Sequence, residues 1–91
     1  MRFEWDPKKA EANLERHKIA FEEAATAFAD PLSITIPDPD HSIRESRFIL
    51  IGRTFAGQTV LIAHTERRDQ IRIISARRAT RREVKAYEEG E

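Results

Sequence analysis

The sequence predicts an α+β fold: a short N-terminal strand, two helices, a four-stranded antiparallel meander and a C-terminal helix. Three features carry that expectation. The first thirty residues place apolar side chains at helical spacing behind a strong helix-start signal. From Leu32 onward, β-branched runs are separated by turn residues at strand-like intervals. Near the end, Thr80 stands three residues before Glu83, the spacing of a capping box. With 91 residues there is material for one domain over 1–91 and a small core.

Phe3 and Trp5 flank Glu4 in the alternation of a short first strand. Asp6-Pro7 then starts a helix, with Asp as N-cap and Pro at the first helical position, expected to run to about His17. Lys9, Asn13 and His17 recur every four residues, so they line one helix face. Taken singly, each also suits a solvated face. Phe21, Ala24, Ala25 and Phe28 follow the pattern of a second, amphipathic helix, which Asp30-Pro31 ends.

Leu32, Ile34 and Ile36 alternate with Ser33 and Thr35, giving a strand with one buried face. An acidic loop follows from Pro37 to Glu45, with His41 exposed in it. Further strands are expected over 47–55, 59–65 and 70–77, with turns at Ala56-Gly57-Gln58 and 66–69. The centres FILI and VLIA are apolar on both faces. Helices can cover one face; the other needs the C-terminal helix, a partner chain, or both. That last helix, Arg81–Glu89, has only Val84, Ala86 and Tyr87 as apolar content and should dock weakly.

Composition narrows the class. Hydrophobic residues make up 40% and charged residues 35%, which excludes a disordered chain. There is no cysteine, hence no disulfide framework or thiolate chemistry, and a cytoplasmic location fits best. No apolar run approaches the roughly 20 residues of a membrane span, and the N-terminus lacks a signal-peptide core. Net charge is zero, but it is segregated: from His64 to Lys85, eight basic residues face three acidic ones, a local +5 balanced by −5 elsewhere. Arginine dominates that segment, which suits bidentate phosphate contacts, although a solvated basic face would look the same. Arg77, Arg78, Arg81 and Arg82 gather at one strand-to-helix junction, where a helix N-terminus also points N–H groups outward.

Several chemistries find little support. His17, His41 and His64 fall in separate elements with no ligand-pair spacing, so no metal or other cofactor is expected. Ser75 lies mid-strand without the sharp elbow a serine nucleophile needs. Acid–base and electrostatic chemistry on a phosphate remains. Metal-free RNA cleavage needs a base for the 2′-hydroxyl, cations for the charged phosphorane and an acid for the leaving 5′-oxygen. Arg67, Arg72, Arg77, Arg78, Arg81 and Arg82 can supply cations; Glu66, His64, His17 and Lys9 are the candidate proton carriers. His64 and Glu66 are two apart on one strand and share a face, as an edge ion pair would too. Trp5, Tyr87 and Phe55 could stack on bases, with core packing the stronger expectation for Trp5 and Phe55.

With FEWDPKKAEANLERHKIAFEEA near the start and TERRDQIRIISARRATRREVKAYEE near the end, the chain resembles the BrnT-type toxins of bacterial type II toxin–antitoxin modules. The resemblance implies a RelE/ParE-like fold and a metal-independent endoribonuclease that halts translation. It implies a BrnA-like ribbon-helix-helix antitoxin as partner, with operator DNA reached only through that antitoxin. The alternative is an inactive relative that keeps RNA or partner binding. Carried over by motif, Lys9, Asn13, His17, Glu66, Arg67, Arg77 and Arg78 match the family's site positions. Arg67, Arg77 and Arg78 would bind phosphate and stabilise transition-state charge, with Glu66 or His17 as base or acid. Arg72, Arg81, Arg82, Lys9 and Asn13 would contact RNA. In three places the chain departs from the family: Lys18 and Arg68 stand where Gly is usual, and Ala20 where Ser or Asp caps the second helix.

Overall fold

The computed structural model describes residues 2–39 and 46–90; the expected loop residues 40–45, His41 among them, lie outside that set. In chain order the elements are β1 (Arg2–Glu4), α1 (Pro7–His17), α2 (Phe21–Thr26), a 3-10 turn (Ala27–Ala29), β2 (Ile34–Pro37), β3 (Arg47–Arg53), β4 (Thr59–Arg67), β5 (Gln70–Arg78) and α3 (Arg81–Glu89).

Helix α1 begins as its sequence demands. The Asp6 carboxylate accepts from Lys8 N at 2.8 Å, and Pro7 sacrifices an N–H that would have had no partner. It ends on Lys18, which adopts left-handed geometry at φ 61° while its N–H reaches Leu14 O. Arg68 in the β4–β5 turn is also left-handed, at φ 54°. Both are positions at which the resemblance implies Gly, and a side chain there strains the backbone. Ala20 enters α2 with no side-chain cap.

The sheet order is β1-β5-β4-β3-β2. β2 to β5 form the expected antiparallel meander. The first strand adds a fifth member, parallel to β5 with Phe3 beside Ile71, so the sheet is mixed. Helices α1 and α2 carry the chain from β1 at one edge of the sheet to β2 at the other and cover one face. Ile19, Phe21, Ala24 and Ala27 pack there on Leu50, Val60, Ile62, Ile71, Ile73 and Ala76. Complete burial of a side chain such as Phe21 stabilises the fold by roughly 2–3 kcal/mol. Phe3 and Phe28, and Trp5 and Phe21, close the margins edge to face. Gly52 permits the layers to meet: a Cβ there would stand 3.1 Å from Ala27 O.

Three expectations are corrected. Leu32 is not in the strand; Asp30 Oδ1 accepts from Leu32 N, a turn that leaves Leu32 70% exposed. Ile34 and Ile36 pair with Ile51 and Ile49, so they lie on the face away from α1 and α2, and Ile36 is 46% exposed. Phe55 falls beyond β3 in the turn to β4 and is 83% exposed.

Helix α3 docks through one buried side chain, Tyr87. Its hydroxyl donates to Asp30, the Arg53 guanidinium lies over its ring, and Arg53 also reaches Glu88 at 3.5 Å. Burial works to raise the Asp30 pKa, but the hydrogen bonds from Tyr87, Arg53 N and Leu32 N outweigh it and hold it low. Among the described residues, no helix is long and apolar enough to cross a membrane.

Candidate functional site

The open face of the sheet is organised by one extra residue. β4 and β5 pair His64 with Ile73 and then Ala63 with Ser75, which leaves Ile74 as a bulge. Before it, Ile71 and Ile73 point into the core; after it, Ala76 does. The open face therefore receives Arg72, Ser75 and Arg77. Strict alternation would have grouped Arg72 with Arg78 instead. Arg78 pairs with core-facing Val60 and so projects to the opposite side, where it is exposed.

Pairing continues these rows across the sheet. Arg47, Thr65 and Arg72 stand side by side, as do Ile49, Ala63 and Ser75, then Ile51, Leu61 and Arg77. A basic row thus borders an apolar floor.

Asn13 sets α1 against the backbone of β5, beyond the end of β1. It is buried; its Nδ2 donates to Ile19 O at 3.0 Å, and its Oδ1 accepts from Ala76 N at 3.0 Å. The second bond satisfies a donor of β5 past the end of β1, where the sheet ladder offers none. Its neighbours one turn away on the same helix face then reach the sheet. Lys9 joins Ser46, Arg47, Thr65, Glu66, Arg67, Arg72 and Ile74 around a cleft of about 400 Å³. His17 joins Ile49, Leu61, Ala63, Ser75 and Arg77 around an adjoining hollow of about 210 Å³.

Glu66 and Arg67 diverge. Glu66 pairs with core-facing Ile71, and its carboxylate turns to the helix side, where Oε2 lies 3.2 Å from His64 Nε2. It meets the large cleft at its margin. His64 itself is fully buried, with Phe28 edge-on at 4.9 Å and Phe48 stacked at 5.9 Å. No polymer as large as RNA reaches that ring.

The arginine junction does not form one site. Arg77 Nη1 and Nη2 donate to the two Glu83 oxygens at 3.0 and 2.9 Å, and Nη1 also donates to Arg78 O. Glu83 in turn completes the capping box: its Oε1 accepts from Thr80 N, and Thr80 Oγ1 accepts from Glu83 N. The anion position expected for phosphate at this helix start is thus filled by the chain's own carboxylate. The Arg77 guanidinium, aided by the Thr80 backbone, holds the Glu83 carboxyl down at about 2, and Glu83 raises the Arg77 pKa in return. Arg81 and Arg82 are exposed on the first turn of α3 and line neither hollow. Arg72 lies 3.7 Å from Glu4, a half-exposed pair of little energetic weight.

Two members of the site escaped the sequence. In the sequence Arg47 is marked only as the first residue of a strand, and Glu83 only as part of a capping box. The doublet Ile73-Ile74 was the available signal for the bulge, because two adjacent core-type residues break a period of two.

The fold and the open face define a small α+β protein with a basic row beside an apolar floor. The family described as "Ribonuclease toxin, BrnT, of type II toxin-antitoxin system" matches residues 5–83, and the chain belongs to this family. The crystal structure of the Brucella abortus ribonuclease toxin BrnT is similar, with a TM-score of 0.69 at 18% identity over 89% of this chain and 99% of that one. At that identity the likeness speaks for the fold. Comparison with curated protein sequences gives no match. Family membership makes this a ribonuclease toxin with a cognate antitoxin.

Proposed function

We propose that the chain is a metal-independent endoribonuclease that inhibits translation, acting on RNA laid across the open sheet face. The observation that carries this reading is the pairing of two hollows on that face: a cationic cleft around Lys9, Arg47, Arg67 and Arg72, and beside it a hollow where His17 and Arg77 meet. The cleft holds backbone phosphates by charge. His17, the candidate proton carrier that shares a hollow with Arg77, moves the proton. Arg77 meets the charge that develops on phosphorus. Glu66 at the cleft margin is the second proton carrier, steered by His64.

Asn13 has the part of an anchor for Lys9 and His17, since both ends of its amide are bonded to backbone. Arg81 and Arg82 contribute outlying charge along the RNA, whereas Arg78 lies on the opposite side of the sheet. The partner is a ribbon-helix-helix antitoxin, which also carries the complex to operator DNA. In this reading the apolar floor between the basic rows is the part of the open face that most needs cover.

Expression of the chain alone in a bacterium tests the reading. Growth and protein synthesis should stop, and His17→Ala should restore both at equal protein level. Uninterrupted growth with the wild-type protein accumulating would count decisively against it. Salt-sensitive RNA retention without cleavage would assign the chain to inactive binding modules instead.

A further inference from the structure

Arg77 is placed to stabilise a phosphorane, yet its guanidinium is already engaged. Among the described residues, three of its five N–H donors find partners: one Nη1–H and one Nη2–H bond to Glu83, and the other Nη1–H to Arg78 O. The two that remain are Nε–H and the second Nη2–H. These point the same way and form the side-on fork of the guanidinium, a geometry matched to two phosphate oxygens. Glu83 takes the end-on fork and leaves the side-on one.

Glu83 is itself held in place. Its Oε1 is bonded to Thr80 N at 2.8 Å, and it sits in the first turn of a helix whose far end is tied by Tyr87 to Asp30. Arg77 is therefore fixed at both guanidinium ends without using the pair of donors that a substrate would need. Its pairing also cancels its net charge, so it adds little to long-range attraction of RNA. It is preorganised for a local, directional contact made when charge concentrates on phosphorus.

We infer that Glu83 is a positioning residue for the ribonuclease reaction, clamping Arg77 end-on so that its side-on fork is offered to the scissile phosphate beside His17. This rests on the reading of the open face given above. The clamp acts on the chemical step and leaves capture of RNA to the neighbouring cleft.

The test is a cycle of Glu83→Gln, Arg77→Ala and the double variant, with kcat and KM measured on one RNA. Gln at 83 keeps the capping-box acceptor for Thr80 N and loses the ion pair, so α3 is retained. Glu83→Gln should lower kcat about 10-fold and leave KM within about 2-fold. Arg77→Ala should lower kcat about 100-fold or more. The double variant should equal Arg77→Ala, because Glu83 acts only through Arg77.

Losses that multiply in the double variant, or a Glu83→Gln protein as fast as wild type while Arg77→Ala is impaired, overturn the inference alone. A Glu83→Gln protein that binds RNA tighter and cleaves faster overturns it too, and makes Glu83 a competitor of the substrate. A wild-type protein that leaves RNA intact sinks the inference together with the proposed activity. Arg77→Lys covers the case of poor folding at position 83: it keeps charge and cap but has no fork, and should match Arg77→Ala in kcat. Wild-type activity in that variant contradicts the clamp.

Discussion

In the proposed reading, three side chains decide whether the open face works: Asn13, His17 and Glu83. The resemblance implies that Asn13 touches RNA, beside Lys9 and His17 on one helix face. Burial and two backbone partners give it a different task. Asn13→Ala should destabilise the protein by about 2–4 kcal/mol, since it strands a buried N–H and a buried carbonyl; urea denaturation measures this. The Glu83 carboxyl has a second consequence. Its pKa is depressed from the ordinary 4.5 to about 2, so the stability it contributes is fully present above pH 4.5 and is lost as pH falls through 2. Thermal melts across that window should show an acid limb in the wild type that is shallower in Glu83→Gln. An identical limb in both would show that other carboxylates govern acid unfolding.

Elements were legible to different degrees, for reasons that differ. α1 and α3 carry their own boundaries, because Asp6-Pro7 and the Thr80–Glu83 box are local signals that the folded chain uses as such. β5 was legible as a strand but not in its facing. A bulge is defined by the partner strand, so only the pairing with β4 reveals that Ile74 is the extra residue and that Arg77 joins Arg72. The parallel partner of β1 is likewise a tertiary fact. Phe3 alternates with its neighbours whichever strand it joins.

The same limit explains Glu66 and Arg67. As neighbours in one strand they start towards opposite faces, and only the folded sheet shows that both reach the cleft beside Lys9, Glu66 at its margin. At the α1–α2 junction and the β4–β5 turn, the left-handed Lys18 and Arg68 are strained where a glycine would not be. Lys18→Gly should stabilise the protein by about 0.5–1 kcal/mol, read as a rise in urea midpoint with an unchanged slope. A fall would mean that the Lys18 side chain makes up for its backbone.

At the scale of the whole molecule, the zero net charge conceals a division of labour. One face of the sheet is sealed by α1 and α2 over an apolar core. The other carries a basic margin beside an apolar floor, in a chain whose remaining segments are acidic. RNA binding should therefore depend steeply on salt. Arg67→Ala should weaken it and reduce the slope of log K against log salt by about 0.7, the value for one phosphate contact on a single strand. Arg78→Ala, on the opposite face, should change the slope less. Equal effects from the two would place RNA elsewhere than the open face.

The central claim is that this face cleaves RNA with its own side chains. Purified protein incubated with RNA in excess EDTA, beside His17→Ala and Arg77→Ala, tests it most directly. The account predicts cleavage by the wild type in EDTA and a loss of about 100-fold or more in each variant. Cleavage that stops in EDTA, or variants as active as the wild type, would contradict it.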